Sequence, residues 1–212
     1  MAFSLKLFFN YYSFSQRITV PELFLKTDQD KDGIDDLHDI LEGAKKRVGQ
    51  TKFYQDQYYT GGYPPENTGV CTDVIWRSFE SAGFNLKEMI DEDIKENPAN
   101  YSRINGDSDP NIDFRRVLNL IPFFEKYAQI LTTKVNPWDI ENLYQWQGGD
   151  IVIWEKLPSG NMHIGIISDQ RQKNGVPYVI HNYGFGTQES DYLLKWPTPI
   201  IYHFRFPNLE IK

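Results

Sequence analysis

The chain has 212 residues, 40% of them hydrophobic and 15% aromatic, which is enough to fill one good core, and a single domain over residues 1–212 is expected. A net charge of −7 with no basic stripe excludes a nucleic-acid-binding face, since phosphate recognition needs clustered Lys and Arg. The lone cysteine excludes an internal disulfide framework and multi-cysteine zinc sites, and no apolar run approaches the roughly 18 residues that span a bilayer.

Residues 1–27 are mixed aromatic and apolar, interrupted by Pro21, and are expected to form a packed N-terminal segment. Within them Met1 to Phe14 carries Lys6 but no small-residue cleavage site, so no secretory signal peptide is read there. The stretch 28–39 then sets Asp28, Asp30, Asp32, Asp36 and Asp39 at loop positions one, three, five, nine and twelve, with Gly33 at six. Calcium takes about six to eight oxygens, and a glycine at that place permits the sharp turn that aims alternate carboxylates at one centre. The spacing departs from an EF-hand loop and looks more like the aspartate-rich calcium repeat of thrombospondin type-three modules. It predicts a structural calcium on these five acids; the alternative is a solvated acidic loop capping the next helix. His38, at the same junction, is expected to be a surface residue. Leu37, Ile40, Leu41, Ala44 and Val48 mark one face of that helix, with Lys45-Lys46-Arg47 suiting its negative end and Gly49 stopping it.

The paired glycines and prolines between Tyr58 and Pro65 exclude regular structure. Val70, Val74, Ile75, Phe79 and Ala82 then recur at helical steps, stopped by Gly83, with Thr68 as the expected N-cap. Cys71 falls in the first turn, where unpaired N–H groups and the helix dipole favour a thiolate; a cysteine so placed also serves as a small buried apolar residue. Tyr58, Tyr59 and Tyr63 upstream are expected to line a cleft or, equally, to pack in the core, with Tyr63 and Asp73 as candidate substrate contacts. A short acidic helix follows from Leu86 to Asn97, stopped by Pro98, and then a turn-rich loop over Asn105 to Asn111. Helical spacing is expected from Asp113 to Leu131, broken by Pro122. The Asp113, Arg115 and Arg116 cluster at its start suits a structural salt bridge or, alternatively, a bound carboxylate.

The final third changes period. Short β-branched and aromatic runs at 149–155, 163–169, 177–182 and 200–206 are separated by turn residues such as Pro158-Ser159-Gly160 and Asn174-Gly175. Helices first and strands afterwards predict an α+β fold with an antiparallel sheet. A hairpin at Asn174-Gly175 brings His163 and His181 to one end of that sheet. By alternation His163 shares a face with Gly165 and Ile167, and His181 with Val179. A cysteine helix packed on that face would join a nucleophile, a general base and an orienting group. Asp150, after two glycines, is expected to cap a turn.

A helix-borne cysteine, Gly149-Asp150 opening a strand, His163-Ile164-Gly165-Ile166, then Ile180-His181 resembles the papain-like cysteine hydrolases of the NlpC type, which cleave amide bonds in bacterial cell-wall peptides. More closely, residues 69–77, Asn111 to Val117, Gly149 to Val152, His163 to Ile166 and Ile180 to Asn182 are similar to a bacterial family in that superfamily, domain of unknown function 1287, over about residues 36–206. The resemblance implies an NlpC-type α+β fold and Cys71, His163 and His181 as catalytic residues, with Asn182 as the alternative third member. A thiol hydrolase is the leading expectation, with an acyl-enzyme on Cys71 and the Cys71 N–H helping to hold the oxyanion; the resemblance to cell-wall enzymes implies peptidoglycan peptides as substrate, with no cofactor for catalysis. Here Val70 precedes the cysteine and Thr72-Asp73 follows it, where the NlpC-type signature reads Asp-Cys-Ser; the family's oxyanion-hole and substrate-binding details do not carry over. Three other readings stay open: an acyltransferase using the same thiol, a non-catalytic calcium-stabilised wall-binding module, and zinc held by Cys71, His163 and His181. The expected protein is a monomer, extracytoplasmic on the strength of calcium and substrate, although no signal peptide is visible.

Overall fold

The computed structural model describes residues 17–104 and 108–208. The expectations for Met1 to Phe14 and for the first half of the Asn105 to Asn111 loop lie outside them. Four helices come first: α1 (Asp36–Arg47), α2 (Cys71–Ser81), α3 (Leu86–Glu96) and α4 (Val117–Tyr127). Two short strands, β1 (Phe53–Tyr54) and β2 (Thr68–Gly69), form a small parallel ladder just before α2. A sheet follows, built from β3 (Gln129–Ile130), β4 (Ile151–Trp154), β5 (His163–Arg171), β6 (Pro177–Asn182), β7 (Thr187–Ser190) and β8 (Ile200–Arg205), with a short α5 (Ile140–Tyr144) ahead of β4. Its order is β3-β8-β4-β5-β6-β7, antiparallel throughout. The α+β arrangement of N-terminal helices on a C-terminal antiparallel sheet is therefore the one expected. Among the described residues no helix is long and apolar enough to cross a membrane.

Alternation along buried strands sorts the core into two halves. Ile151, Ile153, Ile164, Ile166, Ile180 and Phe204 face the helices, meeting Ile40 of α1, Val74 and Phe79 of α2, and Phe124 of α4. Val152, Trp154, Ile167 and Val179 face the other way, onto Trp146, Leu193 and Trp196. The N-terminal segment packs on that second half: Ile18 joins it and bonds Lys173, and Pro21 and Leu23 bond the Gln147 side chain.

Between Asp113 and Leu131 the chain is less regular than its spacing suggests. A 3-10 turn covers Asp113–Arg115, Arg116 is extended, and only then does α4 begin. The Asn119 side chain donates to the Asp113 carbonyl and fixes that break. Pro122 sits inside α4, where it lacks the N–H that would bond the carbonyl of Leu118, an exposed residue. Beyond Tyr127 the chain extends into β3 because β8 offers it an edge.

Candidate active site

Cys71 is the first residue of α2, with Val70 rather than Thr68 as N-cap. Thr68 is instead in β2, its hydroxyl donating to Pro65. Valine has no side-chain acceptor, so half a capping box remains: the Asp73 carboxylate accepts from Val70 N–H at 2.7 Å. The same carboxylate accepts from Trp76 Nε1 at 2.7 Å and from Arg115 Nε and Nη2 at 2.7 and 2.9 Å. Asp73 is wholly buried and fully engaged, so it holds the cysteine turn and is no substrate contact. Arg77 clamps the preceding loop, donating to the Thr68, Pro64 and Pro65 carbonyls and to Thr51 Oγ1. Tyr63 packs edge-on against Trp76 and Phe114 and lines a different cavity, with Glu80 and Lys87. Tyr58 bonds Asp109 and Asn111. Tyr54, unremarked in the sequence, is the tyrosine that lines the Cys71 cleft.

His163 opens β5 and His181 sits next to the end of β6, and His163 Nε2 lies 2.8 Å from His181 Nδ1. Gly165 lies between them on the same face; a Cβ there would sit 2.8 Å from Val179 Cγ2 and 3.2 Å from His181 Cβ, so its absence lets the rings meet. His181 Nε2 is 2.9 Å from Ser190 Oγ, and Trp196 stacks on the His163 ring at 4.0 Å and 10°. The face differs from the one expected. α2 packs on the Ile164, Ile166 and Ile180 side, opposite the histidines, so the three catalytic candidates do not share a sheet face. Cys71 instead acts with the sheet at the strand end: the backbone N–H of Ile164, one residue past His163, is among the groups that pull its thiol pKa down. Asn182, by alternation, is on the cysteine side; its Nδ2 donates to Gly69 O at 3.0 Å, and the group bonded to His163 is His181.

Burial governs the electrostatics. It pushes the Cys71 thiol up to about 12, against the pull of the Ile164, Thr72 and Cys71 N–H groups. The expected thiolate is thus corrected: desolvation outweighs the helix terminus. Burial, reinforced by His181, holds His163 well below 6.5, and burial lowers His181 to about 4. Thiol and imidazoles are neutral at pH 7. The open side of Cys71 is a cleft walled by Tyr54, Asp56, Arg103, Arg116, Lys156 and Met162.

Two other acidic sites differ sharply. Asp150 does cap a turn, accepting from Gln147 N–H, but it also pairs with Arg205 and His203, and Trp146 stacks on the latter. In the 28–39 loop, Asp28, Asp30 and Asp32 each bring an oxygen within 4.8 Å of the others. Gly33 has a φ of +97°, and its N–H donates to Asp28. Asp36 spends one oxygen on Gln29 N–H. Asp39 is 7% exposed with its Oδ2 unpaired, and burial followed by Asp32, Asp30, Asp28 and Asp36 raises it to about 6. His38 is half-buried, bonded to Asp35 and stacked on Phe24. Among the described residues the aspartate triplet is the group of three whose ligand atoms converge; His163 and His181 bond each other rather than a common centre, against zinc.

The pattern for domain of unknown function 1287 matches residues 41–206. The uncharacterized protein YijF of Escherichia coli K12 is 39% identical over 173 residues, covering 79% of this chain and 80% of its own. Among solved structures, an N-acetylmuramoyl-L-alanine amidase from Bacteroides uniformis aligns with 80% of this chain and 98% of its own, at a TM-score of 0.44 and 12% identity.

Proposed function

The chain belongs to the domain of unknown function 1287 family, and we propose that it is a cysteine-dependent amide hydrolase of bacterial cell-wall peptides. The observation that carries this reading is the His163–His181 bond of 2.8 Å at the end of the strand whose next N–H, that of Ile164, lowers the Cys71 thiol pKa. Each neutral ring has one N–H. If His181 donates from Nε2 to Ser190 and His163 donates from Nε2 to His181, then Nδ1 of His163 is left as a base. Nδ1 takes the thiol proton as Sγ attacks the amide carbonyl, and the oxyanion forms against the Cys71 N–H. The proton then passes to the leaving amine, and water cleaves the thioester. Wall peptides enter as substrate through the NlpC-type resemblance, and they set the extracytoplasmic location.

Purified wall fragments incubated with wild type, Cys71→Ala and His163→Ala and read by mass spectrometry test it. Cleavage by wild type alone is expected; cleavage surviving Cys71→Ala would overturn the thiol mechanism, and products captured by an added amine would identify acyl transfer. Alkylation of Cys71 by iodoacetamide should keep rising above pH 8, because the pair is neutral. A plateau below pH 7 would instead reveal a preformed ion pair.

We also propose a structural calcium in the 28–39 loop, on Asp28, Asp30, Asp32 and Asp39 with the second oxygen of Asp36. Support comes from the unpaired Oδ2 of Asp39, a buried carboxylate oxygen surrounded by like charge.

A further inference from the structure

The charge around Cys71 runs opposite to that of the whole protein. The chain carries −7, yet its cysteine cleft is walled by Arg103, Arg116 and Lys156, with Asp56 as the acid among them. The three cations come from separate segments: the loop after α3, the break before α4, and the turn between β4 and β5. Neighbouring Arg115 spends its guanidinium on Asp73 and the Gln57 carbonyl. Arg116 does not: among the described residues it has no carboxylate partner, and its Nε is buried without any acceptor. Arg116 thus lines the cleft with no carboxylate from the described residues to neutralise it, and one can come from a ligand. The extended backbone of Arg116 is fixed on both sides, by the 3-10 turn and by the first turn of α4, so the side chain starts from a rigid base.

We propose that this cleft recognises a free carboxylate on the peptide being cleaved, close to the scissile amide, with Arg116 as the main contact and Lys156 and Arg103 as supporting charges. The substrate class is thus an acidic peptide. A planar guanidinium matches a carboxylate in a way a lysine does not, which makes Arg116 the residue that sets specificity. Asp56 on the same wall disfavours a second carboxylate there, so one acidic group is read. The inference takes its location from Cys71 as the reactive residue, but not its chemistry.

The test is binding, with the thiol removed. Full-length Cys71→Ala is titrated calorimetrically with two synthetic peptides that differ only in a carboxylate or a carboxamide beside the central amide. The acid is expected to bind about tenfold more tightly, with the advantage shrinking in 0.5 M salt and falling below about threefold in Arg116→Gln. Lys156→Gln should lower it by less, and it guards against a folding defect at position 116. Equal binding of the two peptides, or an advantage unchanged in both variants, would overturn the proposal. Wild-type protein is then assayed on both peptides. Selective binding without cleavage of either would sink the hydrolase reading and leave this one standing. Cleavage of both with the same KM would do the reverse.

Discussion

Asp73 and Asp39 are both buried acids in the first turn of a helix, and they are finished to different degrees. Asp73, at the start of α2, receives four hydrogen bonds, two of them from a guanidinium as buried as itself. Asp39, in α1, has one oxygen with no partner and four other acids acting on it. The contrast separates a site that supports itself from one built around something further. Around Cys71 the protein supplies every partner of the Asp73 carboxylate from its own chain. At the edge of α1 it gathers carboxylate oxygens and supplies Asp39 Oδ2 with no partner of its own.

The largest effect should come from breaking the complete site. Asp73→Asn leaves Arg115 buried and uncompensated, and is expected to cost about 3–5 kcal/mol in urea unfolding, since the loss of one partner strands the other. Arg115→Gln should cost a similar amount, and the double variant less than the sum of the two. Costs below about 1 kcal/mol would mean that the pair contributes little to the cysteine turn.

A smaller effect should come from filling the incomplete site. Calcium at a hundred times its dissociation constant should stabilise the protein by about 2.7 kcal/mol, and Asp39→Asn should remove most of that shift. Without calcium the pH dependence has a definite sign. The Asp39 carboxyl titrates at about 6 when folded against 3.8 ordinarily, so its contribution is present at low pH and lost as pH rises through about 6. The buried histidines act oppositely: His181 is held to about 4, so its contribution is present above 6.5 and lost as pH falls through about 4. Melting curves in chelator should therefore show Asp39→Asn lifting the neutral side alone, and calcium should do the same for wild type when the chelator is left out. A variant whose curve parallels wild type from pH 4 to 8 would show that the acids do not crowd in solution.

How much of this was legible follows from the range of each signal. The periodicity around Cys71, the glycine at loop position six and the hairpin joining His163 to His181 are local, and the structure keeps all three. The face was not legible. Alternation says which residues lie together, but Ile164, Ile166 and Ile180 are as apolar as Ile167 and Val179, and nothing in the strands says which set the helices cover. The cysteine's ionisation failed for a related reason, since a helix start can be read from spacing and desolvation cannot. Partners distant in sequence were invisible: Arg115 lies 42 residues from Asp73, and neither Ser190 nor Trp196 stands in any pattern pointing to the histidines.

Ser190 offers the mildest way to turn a complete network into an incomplete one. Its hydroxyl is the neighbour of His181 Nε2 at 2.9 Å, and Ser190→Ala leaves that N–H inside the protein without an acceptor. The expected loss of stability is about 1–2 kcal/mol, the usual consequence of one unsatisfied buried donor. The functional consequence is more telling than the size. With Ser190 gone, His181 is free to carry its proton on Nδ1 and donate to His163 Nε2, which moves the His163 proton to Nδ1 and removes the base. Turnover should fall with KM unchanged, and Ser190→Thr, which keeps the hydroxyl, should restore it. If alanine and threonine behave alike, Ser190 only packs against the ring, and the orientation of His163 must come from Trp196 and the bond to His181 alone.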